Sequence, residues 1–245
     1  LFIFPRVDGV YDAEDYGTWR VPTVDYSHAY GRMMRSPQVN TIYYDPGTTY
    51  TPWARADGTL FDNAPPDCAP HNPRNTALGC RNLQQLNSGD DVRWSRCFSN
   101  GTCNSERSDR DFWPATYFWY NFGDLWTAGN YTQFEIRSGN TYTGQGREDR
   151  TDCTGGVCTY AEEIQNFANW YTYYRSRMFA ARAGIGRAFS EQGENLRVGF
   201  GAINKDPTTV DGIADTRTVQ RGVRRFAGDA RTQFFDDLYD YPVPP

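Results

Sequence analysis

"EIQNFANWYTYYRSRMFAARAGIGRAF", Glu163 to Phe189, is the most ordered text in a chain otherwise rich in Gly, Asn, Asp and Thr. Apolar side chains return at Ile164, Phe167, Tyr171, Tyr174, Met178, Ala181, Ile185 and Phe189. The steps alternate almost throughout between three and four residues, the spacing that keeps one face of an α-helix apolar. Thr159 followed by Glu162 forms a capping-box pattern, and Gly193 in "EQGEN" supplies a stop. The spacing predicts one continuous helix of about 28 residues whose stripe lies over a sheet.

Working downstream, "LRVGFGAIN" (Leu196–Asn204) reads as a strand. Leu196, Val198, Phe200 and Ala202 share one face, and Gly199 and Gly201 sit on the other, where a helix can approach closely. A short strand follows, then a turn at Ala227–Gly228 and a helix from about Asp229 to Leu238, ended by Pro242, Pro244 and Pro245. A capped helix running into a buried strand is α/β text.

Upstream the text is less regular. "NTIYYDPGTTYTPW" (Asn40–Trp53) places two aromatic runs around a turn signal. Residues 61–111 form a long polar stretch. Residues 112–136 read as a buried strand or hairpin, and Phe112–Trp126 within them is the densest aromatic segment. Its Trp113, Trp119 and Trp126 are candidate contacts for a partner or a glycan, against the plainer role of packing a core.

Totals limit the chemistry. The chain has 245 residues, a net charge of −5 and 16% aromatics, with a mean hydropathy of −0.74. That composition fits an aromatic core surrounded by irregular backbone rather than a disordered chain. No basic patch marks a nucleic-acid footprint. Lys205 is the only lysine, which leaves almost no room for a P-loop or a Schiff base. The two histidines, His28 and His71, exclude a multi-histidine metal site. Any Ser-His or Cys-His catalysis would have to use one of them. A hydrolase built on paired carboxylates is the least favoured reading, because thirty acidic residues make some close pair inevitable.

The cysteines fall in three near pairs: Cys68 and Cys80, Cys97 and Cys103, Cys153 and Cys158. Neither zinc-knuckle spacing nor histidine partners accompany them, so disulfides are expected over metal. Of the fifteen possible connectivities, pairing neighbours is the choice that proximity favours. Disulfides imply export. Neither a signal peptide nor a membrane-spanning apolar run is present, so a leader has been removed or the chain is part of a longer one. Asp8, Asp12, Glu14 and Asp15 crowd one loop but lack the calcium-loop spacing, and read as a solvated acidic turn. Asn100-Gly-Thr102 and Asn130-Tyr-Thr132 match a glycosylation triplet of low specificity.

Three blocks together, Asn40–Trp53, Glu163–Asn204 and Gly222–Pro245, resemble the N-terminal region of the PilY/PilC family of type IV pilus tip adhesin and assembly proteins. They cover roughly a third of the chain. The resemblance implies part of a von Willebrand factor A-like (Rossmann-like) α/β core. Residues 159–245 would be a segment of that core, and residues 1–158 a loop-rich, disulfide-stapled β insertion. It also implies a non-enzymatic extracellular protein, exported through the periplasm to the pilus tip or cell surface. Its partners would be pilin subunits or minor pilins and a host or abiotic surface. The family's Asp-x-Ser-x-Ser metal motif is absent. "DYSHA" (Asp25, Ser27, Ala29) comes nearest and reads as a turn. No cofactor is therefore expected in this chain, and a divalent metal only if flanking sequence supplies the motif.

Overall fold

The computed structural model describes Tyr26 and residues 29–97, 103–203 and 205–241, with side chains described for all of these except 88–110. The acidic loop Asp8–Asp15, Asp25 and Ser27 of "DYSHA", His28 and the Asn100 triplet lie outside the described residues. In chain order the elements begin with helix α1 (Ala29–Met34) and the two-residue strands β1 (Ala69–Pro70) and β2 (Cys80–Arg81). Strands β3 (Asn87–Cys97), β4 (Cys103–Phe112), β5 (Thr116–Tyr120), β6 (Tyr131–Glu135), β7 (Thr141–Thr143) and β8 (Val157–Thr159) follow. Helices α2 (Tyr160–Tyr173) and α3 (Arg177–Ser190) lead to β9 (Arg197–Gly201), β10 (Thr208–Val210), β11 (Ile213–Thr216), β12 (Val219–Arg225) and α4 (Gly228–Asp240).

The content is mixed helix and strand, as the α/β reading expects. The described strands pair only antiparallel, two by two: β1 with β2, β3 with β4, β5 with β6, β7 with β8, β10 with β11, and β9 with β12. The parallel sheet of an A-like core is not among them. No helix among the described residues is long and apolar enough to cross a membrane.

Two compact units divide the chain. Among the described residues, one comprises those up to 51 and those within 63–177, the other 52–62 and those within 178–241. Two-stranded ribbons are marginal by themselves, and in each unit aromatic rings supply the interior. In the first, Tyr43 meets Trp170 at 4.7 Å and Tyr44 meets Phe167 at 4.9 Å between ring centres. In the second, Trp53 lies flat on Tyr239 at 4.7 Å and edge-on to Phe179 at 5.4 Å. Phe189, Phe226 and Phe234 form a further cluster there.

The capping box forms as expected: the Thr159 side chain accepts from the Glu162 backbone, and the Glu162 carboxylate accepts from the Thr159 N–H. The single long helix does not form. It ends after Tyr173 and restarts at Arg177. At the break lies Arg175, a buried side chain whose guanidinium donates to the carbonyl of Tyr171 at 2.7 Å and to that of His71 at 2.6 Å.

The break also shifts the apolar face. Ile164, Phe167 and Tyr171 are buried as the stripe predicts. Beyond the break the inward residues are Phe179, Arg182, Ala183 and Gly186, whereas Ala181 and Ile185 are exposed. The stripe of α2 covers the irregular Ile42–Thr51 segment with its tyrosines, not an extended sheet. The glycines of β9 also serve a different neighbour. A Cβ on Gly199 would meet the Arg221 carbonyl and Val223, and one on Gly201 would meet the Thr218 carbonyl. These contacts belong to the bulged antiparallel partner β12, not to a helix.

Candidate functional site

The first unit holds two features that bear on function: a buried charge network and an exposed aromatic loop. The network starts at Glu163, which α2 turns inward one position after Glu162 of the capping box. The Glu163 carboxylate accepts from Arg147 Nη2 at 2.6 Å, Arg147 Nε at 3.2 Å and Arg150 Nη1 at 2.5 Å. Tyr44 donates its hydroxyl to the same carboxylate at 2.9 Å. All three charged side chains are sealed from solvent. Arg150 also grips Asp152 through two parallel bonds, at 3.0 and 2.7 Å. Arg147 reaches the Tyr117 hydroxyl at 2.9 Å. Two cations thus meet two anions, a balance that a buried cluster requires.

Electrostatics follows the geometry. Burial, and then the Glu163 charge, push the Tyr44 hydroxyl well above its usual pKa. Burial likewise raises Tyr117. Burial works against the charged forms of Arg147 and Arg150, yet bonds to Glu163 and Asp152 hold both above their usual value. Burial alone would raise Asp152, but the Arg150 guanidinium lowers it overall. The charges of Arg147, Arg150 and Asp152 thus all face protein partners. The network is a clasp that fixes α2 to the Gln145–Asp152 loop and to β5.

Next along the helix, side-chain amides read the backbone of the Asn40–Trp53 block. Asn166 accepts from Tyr50 N at 2.7 Å and donates to the Thr48 carbonyl at 2.9 Å. Asn169 donates to the Tyr50 carbonyl at 3.0 Å and accepts from Ala64 N at 3.0 Å. Trp170 donates its indole N–H to the Ile42 carbonyl at 3.0 Å. Two sequence blocks of the resemblance are therefore bonded directly to each other. Apolar periodicity gave no hint of these polar positions.

His71 is buried, and its Nδ1 lies 2.7 Å from the Tyr171 hydroxyl. Burial, with Arg175 and Arg81 nearby, lowers its pKa to about 4. Cys68 is bonded to Cys80 and Cys153 to Cys158; Cys97 and Cys103 are opposite each other in the β3–β4 register. Among the described residues no group of three or more His, Cys, Asp or Glu is placed to hold a metal.

The three candidate tryptophans fare differently. Trp113 is 9% exposed, donates its indole N–H to the Ile136 carbonyl and carries the Arg137 guanidinium over its face at 3.8 Å. It is a core residue, which corrects its reading as a partner or glycan contact. Trp119 is half-buried. Trp126 is 67% exposed, and Phe122 beside it is 79% exposed. Both belong to the loop between β5 and β6. Phe122 holds a left-handed φ of 69°, a conformation that costs a bulky residue roughly 1–3 kcal/mol.

The loop is nonetheless tightly held. Tyr120 donates to the Gly123 carbonyl, Tyr131 to the Leu125 carbonyl, and Asn130 Nδ2 to the Asp124 carbonyl. Arg32 of α1 donates to the Ala128 carbonyl at 2.7 Å, and Tyr30 stacks near Trp126. Beneath it, Met33, Phe118 and Tyr131 form a small buried cluster.

Fold and site together define a disulfide-bonded chain of mixed α and β structure, with an exposed aromatic loop. Comparison then gives the relatives. Over 216 residues, 85% of this chain, the sequence is 27% identical to the type IV pilus biogenesis factor PilY1 of Pseudomonas aeruginosa strain PAK. PilY1 of strain PAO1 is 32% identical over 101 residues, 40% of the chain, and PilY1 of strain UCBPP-PA14 is 34% identical over 79 residues, 32% of the chain. These similarities agree with the resemblance of the three blocks to the PilY/PilC family. It spans only 16%, 9% and 6% of the length of these relatives. No protein-family model and no solved structure matches the chain.

Proposed function

We propose that this chain is part of an exported type IV pilus biogenesis factor that works by protein–protein and surface binding at the pilus tip. The observation that carries this is the 27% identity over 85% of the chain to a protein named as a type IV pilus biogenesis factor. Two disulfides in the first unit support an oxidising compartment. The order α3, β9, the β10–β11 ribbon, β12 and α4 is the helix–strand–helix alternation on which we base reading residues 159–245 as a segment of an A-like core. Pilin subunits or minor pilins are the proposed partners, and adhesion to a host or abiotic surface the proposed outcome.

The test is genetic. In the native host, the gene is replaced by a version lacking the codons for residues 26–241, and surface pili, twitching and attachment are scored. Loss of pili or of pilus-dependent attachment, restored by the intact gene, is the expected result. Normal piliation, motility and attachment in the deletion strain would sink the proposal.

A further inference from the structure

We draw no further inference here: the strongest candidate, the exposed aromatic patch of Phe122 and Trp126 on the loop between β5 and β6, is an unpartnered apolar surface, and nothing in the structure shows what covers it.

Discussion

Glu163 and Arg147 form a two-point ion pair, at 2.6 and 3.2 Å, with both side chains sealed from solvent. Arg150 closes on the same carboxylate from the other side. Removing one partner of a buried pair leaves uncompensated charge and costs about 3–5 kcal/mol. Glu163→Gln keeps the shape but leaves two guanidiniums facing a neutral amide. Urea denaturation should show a loss of about 3 kcal/mol or more. A loss under about 1 kcal/mol would mean that the cluster contributes little to stability.

The two described disulfides close loops with sequence separations of 12 and 5 residues. Loop-closure entropy assigns them about 3 and 2 kcal/mol respectively. Adding reductant should therefore lower Tm in two separable steps across the Cys68→Ser/Cys80→Ser and Cys153→Ser/Cys158→Ser double variants. An identical Tm with and without reductant would contradict this.

His71 predicts a dependence on acid. Its folded pKa, about 4, lies below the ordinary value of 6.5. Between those values the unfolded chain binds a proton that the folded chain refuses, so the contribution is complete above pH 6.5 and fades as pH falls towards 4. Carboxylates titrate in the lower part of this window too. The informative quantity is therefore the difference between wild type and His71→Gln in denaturation midpoints at pH 7, 5.5 and 4.5. The variant should show the shallower slope, and parallel slopes would remove His71 as the source.

Gly186 lies where α3 meets Tyr239, and a Cβ built there would overlap the Tyr239 hydroxyl. Helix propensity favours Ala over Gly by about 1 kcal/mol. Overpacking should outweigh it, giving a net loss of about 1–2 kcal/mol for Gly186→Ala. The penalty should shrink in a Tyr239→Phe background, even though that change also removes the bond from Tyr239 to the Ala54 carbonyl. A stabilised Gly186→Ala chain would show that the hydroxyl yields freely.

Local signals were legible where their partners lie a few residues away. The Thr159–Glu162 cap closes over three residues. The β5–β6 hairpin and the helix over Gly228–Asp240 follow from local aromatic and turn text. The helix break was not legible; the buried Arg175 beside it bonds to the His71 carbonyl, 104 residues upstream. Nor was the charge clasp. Glu163 next to Glu162 looks like a second exposed acid until Tyr44, 119 residues away, and the two arginines enclose it.

The sequence by itself determined the Thr159 helix cap, the helix over Gly228–Asp240 and the similarity to pilus biogenesis factors, because each depends on short spacings or on whole blocks of text. Only the tertiary structure decided which polar residues go inside and which tryptophan faces out. Trp113 and Trp126 are the same residue type thirteen positions apart. One is covered because the Ile136 carbonyl and Arg137 meet it, and the other is bare because its loop is held open by bonds to its own backbone. Exposure is a property of neighbours in space, and local spacing carries no record of them.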